Sequence, residues 1–160
     1  MKRLYDEKEA WGVEERKSRQ DRLLARMVRL GYQKSPALRK ILDANKINPA
    51  RIKTREDLEI LPVTSREKLV EMEMQKPPYA GLENPAVAIE RIFTSPGPVY
   101  EPHLSGTDDL WARAFFAAGI GPKDIALNAF SYHLVAAGLT FHNGLRKVGA
   151  TVVPSGSLFT

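Results

Sequence analysis

Apolar residues in the first half of the chain recur at helical spacing, and in the second half they condense into short runs between helices. From Glu14 to Leu30 the positions Leu23, Leu24, Met27, Val28 and Leu30 make one face, with Arg and Lys opposite, which predicts an amphipathic helix. Gly31 stands where a C-terminal cap would stop it. Ser35-Pro36 reads as an N-cap followed by proline at the first helical position, and Leu38, Ile41 and Leu42 give the next helix its apolar side. Two further starts carry capping chemistry, Thr54 with Asp57 and Thr64 with Glu67, each a hydroxyl followed three residues later by an acid that can reach back. Pro62 separates them, and the prolines and glycine of residues 76–81 make a loop.

The second half predicts a strand over 87–93 and a turn over 94–102 containing Pro96, Pro98 and Pro102. A helix over 107–118 follows, capped by Thr107 and favoured by Asp108 and Asp109 at its positive end. A strand over 125–130, a small-residue helix over 135–147 and a strand over 150–154 complete the pattern. Alternating strands and helices with short connections are the pattern of a parallel sheet built by crossovers. The expected fold class is therefore α/β: a helical N-terminal segment over 1–86, then the first βαβ units of a parallel sheet over 87–160. Three strands leave an edge to manage, since parallel sheets are normally covered on both faces. The expectation is either that more protein belongs with this chain or that it pairs with itself or a partner.

Composition changes this picture little. The 160 residues suffice for one ordinary core, and an apolar content of 43% with 27% charged residues is that of a globular protein. Cysteine is absent, which excludes disulfides, thiolate metal sites and a cysteine nucleophile. There is no apolar run long enough to span a bilayer and no signal-peptide pattern at the N-terminus, so the expected location is the cytoplasm, without membrane contact. The net charge of +5 is concentrated at Arg16, Lys17, Arg19, Arg22, Arg26 and Arg29. With Glu14, Glu15 and Asp21 interspersed and no nucleic-acid motif nearby, this is read as a solvated helix face; no nucleic-acid partner is expected.

Two stretches could carry chemistry. The first is the turn Thr94-Ser95-Pro96-Gly97-Pro98 after a strand, where Thr94, Ser95 and Gly97 are the candidate anion contacts. Prolines remove donors there, no lysine is present, and Glu101 repels phosphate. The second is Ser131-Tyr132-His133-Leu134 after the run IALNAF, because ligands of open α/β sheets bind at the carboxyl ends of strands. Tyr132 could form an aromatic wall and His133 could donate or titrate. His103, His142, Asp108 and Asp109 show no spacing of a known metal site, so neither a metal nor a catalytic residue is assigned.

These segments, in this order, resemble one family. YQKSPALRKILDANKINPARI, TREDLEILPVTSREKL, RIFTSPGPVYEP, the DLWARA helix, the DIALNAF strand and LRKVGATVVPSG are collinear with the N-terminal part of phenylacetate–CoA ligases. The resemblance covers nearly the whole chain and implies an incomplete adenylate-forming N-terminal domain. It implies ATP and Mg²⁺ for acyl-adenylate formation, CoA as acceptor, an aromatic carboxylic acid as substrate, and the remainder of a ligase chain or a homo-oligomer as partner. The family's phosphate loop is matched at Ser95, Gly97 and Pro102 but not at Pro96, Pro98, Val99, Tyr100 or Glu101. By the same resemblance Phe130, Tyr132, His133, Val135 and Gly138 would line or gate the acyl pocket. Here His133 replaces a glycine and Val135 a phenylalanine. The nucleotide-contacting motifs, the hinge and the mobile domain with its catalytic lysine would lie beyond residue 160. The chain alone is thus expected to be inactive, and a non-catalytic binding or interaction module with a degenerate loop is the alternative.

Overall fold

The first long helix, α1 (Val13–Lys34), runs straight through Gly31. In this computed structural model, which describes residues 4–104, 106–107 and 109–157, the expected glycine stop is replaced by a crossing. A Cβ on Gly31 would come within 2.6 Å of the Leu38 side chain, so the missing side chain lets α2 (Pro36–Ala44) approach α1. The turn between the two helices is made at Ser35 instead. Its Oγ accepts from the Leu38 N–H at 3.2 Å, with Pro36 at the first helical position. The same hydroxyl donates to the Gly81 carbonyl at 3.2 Å, and the Ala37 N–H donates there too at 2.9 Å. A buried serine thus closes α2 and anchors the loop at Tyr79 and Ala80, both buried.

The other predicted caps form with adjustments. Asp57 Oδ2 reaches back to the N–H groups of Lys53 and Thr54, at 2.9 and 2.8 Å, and takes the Thr54 hydroxyl. The segment it organises is a short 3₁₀ helix, Glu56–Ile60. The cap expected at Thr64 lies one residue later: Ser65 Oγ accepts from the Lys68 N–H and opens α3 (Arg66–Gln75). The carboxyl of Glu67, held by its own N–H and by Ser65, lies below its ordinary pKa. Asn48 caps a further 3₁₀ turn, Pro49–Arg51, through a 2.9 Å bond from the Ala50 N–H. Leu42 and Ile52 are the most deeply buried large side chains. These elements belong to one compact unit, Glu7–Ala88.

The second unit joins the residues up to Asp6 with those from Ile89 onward. Its first two strands correct the sequence reading. β1 (Arg91–Ser95) pairs antiparallel with β2 (Val99–His103), so the expected irregular turn is a hairpin and β1 takes no part in a parallel sheet. The chain reverses at Pro96-Gly97-Pro98, where Gly97 takes φ 135°, and Phe93 and Val99 are buried. Pro102 is tolerated in β2 because a two-stranded ribbon has only edges, where a missing N–H need break no ladder.

α4 (Asp109–Ala117), β3 (Ile125–Leu127), α5 (Ala136–Lys147) and β4 (Thr151–Val153) follow. Strands β3 and β4 are parallel, with Ile125 opposite Thr151 and Leu127 opposite Val153. This is the βαβ unit that the sequence predicts, with shorter strands. Thr107 donates its hydroxyl to the Leu104 carbonyl; Asp108 lies outside the described residues. The core contains Ala112, Val148 and Ala150, with Tyr5, Phe115, Phe116 and Ile120 packed around it. Arg113 makes a bidentate pair with Asp6, at 3.0 and 2.6 Å, and lies over the Tyr5 ring, which packs edge-on against Phe116. No described helix is long and apolar enough to cross a membrane.

Candidate functional site

β3 ends at Leu127, and the chain turns at Asn128, a side chain only 3% exposed. Buried polar groups need hydrogen-bond partners, and Asn128 finds its partners in three segments. Its N–H donates to Val153 O at 2.9 Å, continuing the pairing with β4. Its Nδ2 donates to the Tyr132 hydroxyl at 2.7 Å and to Gly138 O at 2.8 Å. Its Oδ1 accepts from the Phe130 N–H, and its carbonyl accepts from Gly156 N–H and from the Ser155 hydroxyl. The corner after β3, the first turn of α5 and the exit of β4 are joined through this residue.

Because the Tyr132 oxygen accepts from Asn128, its proton is free to go to His142 Nδ1, 3.2 Å away, when that nitrogen is unprotonated. The two rings meet edge to face. Gly138 is required by the same corner. A Cβ there would lie 2.0 Å from the Ser131 carbonyl oxygen, so α5 begins in direct backbone contact with the residues before Tyr132. Val135 is the N-cap of α5, and its side chain is exposed, as are His133 and Leu134.

The hairpin meets this corner through the backbone: the Thr94 N–H donates to Leu134 O at 2.9 Å. Thr94 and Ser95 are half-buried in β1, and Gly97 is exposed at the tip. The predicted residues therefore divide. Thr94 touches the corner; Tyr132 and Gly138 are tied into the Asn128 network; His133 and Val135 face outward. Phe130 packs 4.8 Å from Phe141, in an aromatic group with Trp111 and Phe115, and lines an apolar groove of about 430 Å³ beside β3. Neither the hairpin nor the Tyr132–His133 pair borders that groove. The hairpin instead joins the corner through the backbone, by the Thr94–Leu134 bond. Asn128 is the residue that sequence reasoning missed; its one signal was an amide inside the apolar run IALNAF.

The hairpin tip does not fit a triphosphate. Two of the three residues between the strands are prolines, and the Thr94 N–H is committed to Leu134. Among the described residues no group of three or more His, Asp and Glu converges as metal ligands would. His103 packs on Phe93 while His142 meets Tyr132, so the two histidines serve different contacts. Several basic residues of α1 engage their own helix and its start: Arg19 pairs with Glu15 and covers Trp11, Arg22 donates to Ser18, and Arg29 to Ala25 O.

No family model matches the chain. The phenylacetate–coenzyme A ligase of Escherichia coli (strain K12) is 30% identical over 154 residues, covering 91% of this chain and 34% of that protein. The corresponding ligase of Thermus thermophilus is 29% identical over 143 residues, covering 84% and 31%. The chain is similar along most of its length to phenylacetate–CoA ligases. It spans about a third of the length of the curated ligases it matches. Among solved structures, 2-hydroxyisobutyryl-CoA ligase in the postadenylation state with 2-HIB-AMP superposes with a TM-score of 0.81. It is 21% identical, with 90% of this chain and 32% of that one covered. The same ligase with 2-HIB-AMP and CoA, in the thioesterification state, gives 0.80 at 20% identity. The fold is thus that of the matching part of an adenylate-forming CoA ligase, and the helical unit and the parallel β3–α5–β4 unit are its elements.

Proposed function

We propose that the chain is the N-terminal portion of an ATP-dependent acid–CoA ligase, acting on an aromatic acid through an acyl-adenylate. Its part in that work is to wall the acyl site rather than to hold phosphates. The observation that carries this reading is the corner after β3, where buried Asn128 fixes Tyr132 and the start of α5 while Phe130 faces an aromatic-lined groove. Such a corner at the carboxyl end of a parallel strand is where α/β folds place ligands. ATP and CoA are the co-substrates of this proposal, and the proline-rich tip leaves the triphosphate to other parts of the ligase.

The test is a hybrid in which this chain replaces the matching third of the E. coli ligase. Phenylacetate-dependent exchange of pyrophosphate into ATP is expected, and Tyr132→Ala is expected to raise KM for the acid more than it changes KM for ATP. A folded hybrid without exchange overturns the proposal. That outcome would favour a second reading, a non-catalytic relative acting as a ligand-binding or interaction module, which rests on Pro96, Pro98 and Glu101 in the hairpin.

A further inference from the structure

The helical unit has a groove of its own, of about 770 Å³, between α1 and the segment that follows the Asn48 cap. Short side chains leave room for it: Ala25 on one wall, Pro49 and Ala50 on the other, with buried Ile52 behind them. Lys17, Arg22, Arg26 and Arg29 line it from the helix, and Lys53 lines it from the opposite wall. All five side chains are exposed, and no carboxylate of the protein takes them up. Arg22 and Arg29 donate to neutral oxygens, the Ser18 hydroxyl and the Ala25 carbonyl. Among the described residues the side chains of Lys17, Arg26 and Lys53 enter no ion pair or hydrogen bond. Asp21 also lines the groove, yet its Oδ1 is buried and accepts no hydrogen bond, so none of the neighbouring cations is engaged there.

Like charges gathered around one groove repel one another, and a bound anion relieves that repulsion while it takes up their donors. We propose that this groove binds a small ligand carrying two phosphate groups, the chemistry shared by nucleoside diphosphates and sugar bisphosphates. Arg22, Arg26 and Arg29 hold it from α1, and Lys53 holds it from across the groove. Guanidinium forks meet phosphate oxygens in pairs, and arginines on successive turns of one helix reach two phosphates. The volume is that of a small-molecule site. Glu14 and Asp21 interrupt the positive lining, so an extended nucleic-acid backbone would cross two carboxylates that a compact ligand need not touch. A ligand held from both walls ties residues 49–53 to α1. The site lies wholly within the helical unit and does not rest on the ligase reading.

The chain is titrated with pyrophosphate, ADP and fructose 1,6-bisphosphate by calorimetry at low salt, and its amide shifts are followed by NMR. One ligand per chain is expected, with shifts confined to α1 and residues 49–53. Arg26→Gln and Lys53→Gln, both at exposed side chains, are expected to keep the parent's circular dichroism and each to weaken binding at least about tenfold. Lys34→Gln, which removes a cation of α1 outside the groove, is expected to leave binding unchanged. Tightest binding of ADP identifies a nucleotide, tightest binding of fructose 1,6-bisphosphate a sugar bisphosphate, and equal binding of all three the phosphate pair alone. Failure of all three to bind saturably overturns the proposal. So does binding that survives both groove variants, or that Lys34→Gln weakens as much as they do. A short single-stranded DNA that binds these residues more tightly than any of the three overturns it as well.

Discussion

The helical unit and the α/β unit keep their shapes by different means. In the helical unit most of the organising contacts are short in sequence, the bonds of Ser35 and Ala37 to Gly81 O being the exception. Ser35 caps Leu38, Asn48 caps Ala50, Asp57 reaches Lys53 and Thr54, and Ser65 caps Lys68. The 22 residues of α1 include none that is buried. In the α/β unit the decisive contacts join distant segments: Asn128 to Gly138, Val153 and Gly156, Thr94 to Leu134, and Arg113 to Asp6. Local capping chemistry tolerates a change at one position because each cap serves one turn. Long-range closure concentrates dependence on a few positions where several segments meet.

Gly138 gives the largest expected effect. Its Cβ would strike a backbone carbonyl at 2.0 Å, and backbone cannot rotate aside. Gly138→Ala is expected to cost about 3 kcal/mol, at the top of the range for overpacking, by chemical denaturation. Asn128→Ala comes next. It removes the donors to the half-buried Tyr132 hydroxyl and to the buried Gly138 carbonyl, for an expected loss of about 2 kcal/mol. A change in Tyr132 fluorescence should accompany it, and an unchanged spectrum would show that the tyrosine is held by packing instead. Ser35→Ala, in the helical unit, is expected to cost about 1.5 kcal/mol as the loss of one cap together with the hydroxyl's bond to Gly81 O, which the Ala37 N–H still satisfies. A loss as large as that of Asn128→Ala would erase the contrast between the units.

Smaller still is the acid response of Asp57, whose carboxyl lies below the usual range because the Lys53 and Thr54 N–H groups bond to it. A lowered folded pKa contributes stability above the unfolded value, about 3.9, and loses it as pH falls through the folded value. An NMR titration should find Asp57 titrating below exposed aspartates, and Asp57→Asn should flatten the acid limb of the stability curve. Gly31→Ala should be nearly neutral. Its Cβ meets only the mobile end of Leu38 at 2.6 Å, and alanine is favoured over glycine within a helix by about 1 kcal/mol.

The same distinction explains what could be read from the sequence. The helices and the cap at Ser35 were legible because periodicity and capping are written within a few residues. The cap at Ser65 was displaced by one because Thr64 and Ser65 are both competent hydroxyls. Gly31 read as a stop because its reason, the approach of Leu38, lies on the next helix. The hairpin was hidden because three prolines over 96–102 read as a break, although Pro102 sits within a paired strand. Of the candidate site, Tyr132 and Gly138 stood out by resemblance. Asn128 did not, since a buried amide is recognised only from partners up to 28 residues away.

The pairing of Arg113 with Asp6, 107 positions apart, makes the α/β unit discontinuous along the chain. The helical unit is, in connectivity, an insertion between Asp6 and Ile89. Trimming the first six residues would therefore spare the helices that follow them directly. It would instead uncover Phe116 and leave the Arg113 guanidinium without its carboxylate, so the damage from a shortened leader would surface at α4.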